Sequence, residues 1–161
     1  MKFADWLIVT GSQSNVRAAY SSGTPAIGVG AGNVTVIVDE TADLDAAAFK
    51  IMKSKTFDHA TSCSSENALV VVDKIYDTFL EKLGDCGGRL LDEQEKQTLQ
   101  DSLWVNGKLN RQMLARDAEI LCQMADLKRI DSTETKFLMV EESGIGPDYP
   151  FSGEKLSLIH I

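Results

Sequence analysis

The sequence predicts an α/β protein built around parallel strands, and three observations carry that reading. Short apolar runs such as Trp6 to Val9 and Leu69 to Val72 show no polar alternation, which suits strands covered on both faces. Segments with helical spacing lie between those runs. Glycine-rich turns mark the joints, above all Gly28-Val29-Gly30-Ala31-Gly32-Asn33. With 161 residues, 43% of them hydrophobic and 25% charged, the chain has room for one ordinary domain with a core.

The elements follow in order. Trp6 to Val9 reads as a strand, Thr10-Gly11-Ser12 as a break, and Asn15 to Ser21 as a helix with Val16, Ala19 and Tyr20 on one side. Pro25 to Val29 and Val34 to Val38 are the next strands. The composition changes at Asp39-Glu40-Thr41. Thr41 is the expected N-cap of a helix whose first turn holds Asp43 and Asp45 and whose apolar positions are Leu44, Ala47, Ala48, Ile51 and Met52. Thr56 to Ser65 is polar and small, a loop. Leu69 to Val72 is a strand, and Tyr76, Phe79, Leu80 and Leu83 mark a helix ending near Gly84 and Gly87-Gly88. Asp92 and Glu95 form an expected capping box ahead of Leu99 and Leu103. Leu114, Ala118, Leu121, Cys122 and Ala125 mark another helix, Lys136 to Val140 a last strand, and Gly144 to Gly153 a loop.

Composition excludes several classes of function. The net charge is −8, with the excess acid after residue 55 and no basic stripe, so a nucleic-acid partner is not expected. The longest apolar run, Ala68 to Val72, is far too short for a membrane span, and no signal peptide is read ahead of it. Three cysteines without ligand spacing argue against a disulfide scaffold and against a metal site, and fit a reducing cytoplasm.

Three places could carry chemistry. Thr10-Gly11-Ser12 joins a strand to a helix, where backbone N–H groups attract anions and small residues allow close approach; taken alone, the tripeptide reads more simply as a plain tight turn. Cys63 lies among small polar residues on a loop, unlike Cys122, which falls on an apolar helical stripe and reads as core, and Cys86, which has no nearby base. His59, four residues before Cys63, reads as shaping the loop rather than as a base. Glu154 follows glycine in a late loop, where a carboxylate can accept hydrogen bonds from a ribose, though surface glutamates are common.

Together these residues resemble the aldehyde dehydrogenase superfamily, in particular its CoA-acylating branch. The matching stretches are Thr10-Gly11-Ser12 with Val16 to Gly23, Pro25 to Asn33, Ala42-Asp43-Leu44, Ser54 to Asp58 running to Cys63-Ser64-Ser65-Glu66, and Phe151 to Ser157. The resemblance implies a three-layer parallel-sheet fold, truncated at both ends. In that reading, residues 1–40 are the end of an NAD(P)-binding domain, residues 41–157 an incomplete catalytic domain, and residues 158–161 a candidate foreign tail. It implies Cys63 as the nucleophile, Thr10, Gly11, Ser12, Gly30 and Glu154 as contacts to NAD or NADP, and coenzyme A as co-substrate. The substrate would be a short aldehyde, with sulfoacetaldehyde and acetaldehyde as candidates, and the complete enzyme a cytoplasmic homo-oligomer. Hydrolytic relatives carry a glutamate on the strand leading to the nucleophile. Ile27-Gly28-Val29-Gly30 has no acid, so water lacks a general base there, whereas a thiol attacks a thioester more readily. A non-catalytic α/β module is the competing reading.

Overall fold

The computed structural model describes residues 3–30, 32–131 and 133–160. Ala31 of the glycine-rich run and Ile161 of the candidate tail lie outside them. Two compact units meet in sequence between Gly32 and Asn33.

The first unit is one strand–helix–strand turn of chain. β1 (Leu7–Thr10) pairs in parallel with β2 (Ala26–Val29), from Leu7 opposite Ala26 to Thr10 opposite Val29. α1 (Gln13–Tyr20) crosses between them and buries Val16 and Ala19. Ser12 starts the helix: it is extended, and its Oγ accepts the Asn15 N–H at 3.3 Å. The helix and strand approach closely at Gly28, where a Cβ would come within 2.7 Å of Val16 Cγ1. The other face of this pair is bare, with Ile8 82% and Val29 61% exposed.

The second unit holds the main core. β3 (Val34–Val38), α2 (Leu44–Thr56) and β4 (Glu66–Val71) form a parallel crossover, with Val38 opposite Val71. This pairing places β3 with the later residues, in the compact unit that begins at Asn33. α3 (Tyr76–Asp85) ends near the expected glycines and leads to β5 (Gly88–Leu90), a short strand that the sequence does not predict. α4 (Glu93–Leu103) has the expected capping box, with Asp92 and Glu95 each accepting the other's backbone N–H. β6 (Trp104–Val105) and β7 (Lys108–Leu109) form an antiparallel hairpin. Its turn is Asn106-Gly107, both at positive φ, the residue pair that such turns favour. α5 (Ala118–Met124) starts later than the apolar spacing suggested, because Ala115 at φ 54° interrupts the chain after Leu114. β8 (Phe137–Met139) is buried along its length and runs parallel between β5 and β9 (Ile159–His160). Leu158 and Ile159 are core residues in this arrangement.

The start of α2 also differs from expectation. Asp43, not Thr41, is the N-cap, accepting the Ala46 N–H at 3.0 Å. Thr41 is taken by Asp39, whose carboxylate accepts both its N–H and its hydroxyl, and this turn ends two residues before the helix can begin.

Candidate active site

The segment that carries Cys63 leaves α2 through an unusual turn. Asp58, His59 and Ala60 have φ of 49°, 51° and 58°, three consecutive left-handed residues, none of them glycine. Such backbone costs about 1–2 kcal/mol per residue and persists only where its surroundings hold it. Here Asp58 accepts from Thr61 three times, from the N–H at 3.1 Å and from the hydroxyl at both its carbonyl and its carboxylate. His59 Nδ1 lies 3.1 Å from Asp117 Oδ1, and Ala60 is buried. This contact ties His59 to the residue ahead of α5. A second turn follows at once, closed by the Ser65 N–H on the Ser62 carbonyl at 3.0 Å and by the hydroxyls of Ser62 and Ser64 at 2.8 Å. Cys63 sits inside this turn with its side chain exposed. The other thiols differ. Cys122 is buried in α5, and burial pushes its pKa up to about 11, so it carries little thiolate. Cys86 ends α3, its N–H spent on the Lys82 carbonyl.

Two buried lysines that the sequence does not single out serve the start of β4 and the late loop. Lys55, 2% exposed, donates to the Glu66 carbonyl at 3.0 Å. Lys155, fully buried, donates to the carbonyls of Phe151 at 2.6 Å and Gly153 at 3.1 Å. Burial lowers both ammonium groups, Lys55 to about 8 and Lys155 to about 6, and Lys155 is lowered further by Lys55 nearby. A neutral amine with two N–H groups suits two carbonyl acceptors. One signal was present: Lys55 shares the buried stripe of α2 with Ala48 and Ile51.

The loop that carries Glu154 is fastened to the start of β4. Asn67, 4% exposed, donates to the Gly153 carbonyl at 2.8 Å and to Asn33 Oδ1 at 2.7 Å. Asn33 in turn donates to the Ser152 carbonyl at 2.9 Å. The segments bearing Cys63 and Glu154 are thus joined by side chains a few residues from each. A groove of about 390 Å³ is lined by Ser62, Ser64 and Ser65 together with residues of α2, and neither Cys63 nor the half-buried Glu154 is on its wall.

The first unit gathers the other four candidates. Thr10 ends β1, and Gly11, at φ 126°, donates to the Val29 carbonyl at 3.1 Å. Ser12 caps α1, and Gly30 follows β2, where a Cβ would fall 2.2 Å from Gln13 Nε2. Thr10, Gly11, Ser12 and Gly30 therefore share the carboxyl ends of two parallel strands, where α/β sheets hold ligands. The first turn of α1 contains no acid, whereas those of α2, α3, α4 and α5 contain Asp45, Asp77, Glu93 and Glu119. The positive end of its dipole is left for an anion. Among the described residues no cluster of His, Cys, Asp and Glu could hold a metal ion, and no helix is long and apolar enough to cross a membrane.

Residues 4–95 match the family model of the aldehyde dehydrogenase family. The chain belongs to that family. It is 53% identical over 157 residues to the sulfoacetaldehyde dehydrogenase (acylating) of Cupriavidus necator, a match covering 98% of this chain and 32% of that protein. The acetylating aldehyde dehydrogenase of Geobacillus thermoglucosidasius superposes with a TM-score of 0.92 at 41% identity, over 99% of this chain and 35% of that one. The propionaldehyde dehydrogenase of Rhodopseudomonas palustris, solved with bound CoA and an acylated cysteine, gives 0.81 at 25% identity, over 98% of this chain and 35% of that one. The chain spans about a third of the length of these aldehyde dehydrogenases.

Proposed function

We propose that the chain supplies the nucleophile and part of the cofactor contacts of a CoA-acylating, NAD(P)-dependent aldehyde dehydrogenase. In this reading residues 1–40 belong to the cofactor domain and residues 41–157 to the catalytic domain. The Cys63 thiolate attacks the aldehyde carbon to form a thiohemiacetal. A bound nicotinamide cofactor would supply the hydride acceptor, so that the thiohemiacetal on Cys63 would become a thioester. The thiolate of coenzyme A would then attack that thioester, releasing acyl-CoA and returning the Cys63 thiolate. Thr10, Gly11, Ser12 and Gly30 would meet the cofactor through backbone and open space, and Glu154 would accept from its ribose hydroxyls.

The observation that carries this reading is the contrast between thiols. Cys63 alone is exposed, and it sits on a turn tied through β4 and Asn67 to the loop of Glu154. The absence of an acid in Ile27 to Gly30 favours a thiol over water as acyl acceptor. Sulfoacetaldehyde is the substrate best supported, because the Cupriavidus relative acts on it by name and shares 53% identity across the chain. The complete enzyme is proposed to be a cytoplasmic homo-oligomer. The test is product analysis on the complete protein with and without coenzyme A. Acyl-CoA formed only with the thiol, and lost in Cys63→Ser, is the expected result; free acid released at full rate without coenzyme A would end the acylating claim.

A further inference from the structure

The parallel pairing of β3 with β4 slips by one residue where the two strands begin. Val34 lies opposite Glu66 and Thr35 opposite Ala68, so Asn67 has no counterpart on β3. Such a bulge re-aims a side chain, and the Asn67 carboxamide is spent on the late loop and on Asn33, the residue ahead of β3. These bonds can run in one direction only. Gly153 offers a carbonyl, so Asn67 must present its NH2 there, and the second hydrogen of that group goes to Asn33 Oδ1. Asn33 is thereby set with its own NH2 toward the Ser152 carbonyl, at 2.9 Å. With Lys155 on the Phe151 and Gly153 carbonyls, all three carbonyls ahead of Glu154 are held. Among the described residues no hydrogen bond or ion pair holds the Glu154 carboxylate itself, so the loop sets its place.

We propose that Asn33 is a positioning residue for the cofactor-binding carboxylate: bonded to Asn67 and to the Ser152 carbonyl, it fixes the loop that presents Glu154 against the strand that follows Cys63. The inference rests on Glu154 being the contact to the cofactor ribose. Asn33 is exposed, so water can replace its bonds when the side chain is removed, and its share of the folding stability is small. What it contributes is geometry. A carboxylate that accepts from ribose hydroxyls loses those bonds when its loop moves by about 1 Å, and a shift of that size far from the reacting atoms is enough to slow an enzyme. Asn67 alone cannot supply this restraint, because its free hydrogen and the Ser152 carbonyl both need the Asn33 amide to complete them.

The test is steady-state kinetics on the complete protein, with NAD, NADP and coenzyme A varied in turn. Asn33→Asp keeps the acceptor for Asn67 but sets a carboxylate oxygen against the Ser152 carbonyl, and should raise KM for the nicotinamide cofactor by about tenfold. Asn33→Ala removes the link without that repulsion, should raise the same KM by about threefold, and serves alone if Asn33→Asp does not fold. KM for coenzyme A and the rate of Cys63 alkylation by iodoacetamide should stay within about twofold of wild type, which a general loosening of the fold would not allow. Asn33 acts through Glu154, so Asn33→Asp combined with Glu154→Gln should have no higher cofactor KM than Glu154→Gln alone. Effects that multiply in the double variant, an unchanged cofactor KM in the Asn33 variants, or equal losses in all three readouts would overturn the proposal. Glu154→Gln on its own separates the two claims. If it leaves the cofactor KM unchanged, the glutamate assignment fails and the positioning role with it. If it raises that KM while the Asn33 variants match wild type, only the positioning role fails.

Discussion

The two compact units present their candidate residues in opposite ways. In residues 3–30 the groups that would meet a ligand are backbone N–H donors and missing side chains: a glycine at φ 126°, a serine cap and a glycine against Gln13. In residues 33–160 an exposed thiol belongs to a segment that the buried Asn67 fastens to the late loop, with Lys55 and Lys155 buried on either side of that joint in sequence. A site made from backbone tolerates change in its neighbours, because its donors belong to the helix. A site held by buried side chains fails when any one of them is removed, because each leaves a partner unsatisfied.

That contrast orders the expected effects. Cys63→Ser in the complete protein should lower kcat by a factor on the order of 10⁴ or more, as removal of a nucleophile does elsewhere, with an unchanged melting temperature because the side chain is exposed. A mild loss would place the nucleophile elsewhere. Asn67→Leu should destabilise by about 2 kcal/mol in urea unfolding, since the Gly153 carbonyl loses a buried donor and Asn33 its partner. Its kcat/KM should fall as well, through the loosened Glu154 loop. Stability retained within experimental error would break the contrast between the units.

The buried amine makes a third prediction, with a sign. Lys155 titrates near 6 in the fold against 10.5 as its ordinary value, so between those limits the unfolded chain holds a proton that the folded chain has released. Stability should therefore rise with pH across that window, by at most about 1.4 kcal/mol per pH unit from this group. Lys155→Met should flatten the rise, leaving the smaller share of Lys55 between about 8 and 10.5. Urea midpoints measured from pH 6 to 9 check this, and a wild-type curve that falls with pH would contradict it. Smallest is Gly30→Ala. The added methyl meets only the end of the Gln13 side chain, which can swing away, so stability should barely change while KM for the nicotinamide cofactor rises a few-fold.

The sequence reveals these two regions unequally, for the same reason. Strand–turn–helix joints with Gly11, Ser12 and Gly30 are local, and so is the capping box at Asp92 and Glu95; local patterns can be read directly. The Asn106-Gly107 hairpin was equally local and equally readable, but short flanking strands hid it. The left-handed run from Asp58 to Ala60 is different. Nothing in three ordinary residues announces it, because distant Asp117 helps to hold it. The Asn67 bond to Gly153 joins residues 86 apart in the chain, and Lys155 becomes unusual only once the fold buries it and brings Lys55 near. Cys63 was legible by contrast with Cys122, whose stripe position foretold its burial. What supports Cys63 was not.

The central claim is that the Cys63 sulfur carries the acyl group. Trypsin would place Cys63, Cys86 and Cys122 on three separate peptides, running over 56–74, 83–89 and 117–128. The direct measurement is intact peptide mass after the complete protein is incubated with aldehyde and oxidised nicotinamide cofactor in the absence of coenzyme A. The account requires an acyl mass on the 56–74 peptide that disappears when coenzyme A is added. An acyl mass on either other cysteine peptide, or turnover with none on 56–74, would contradict it.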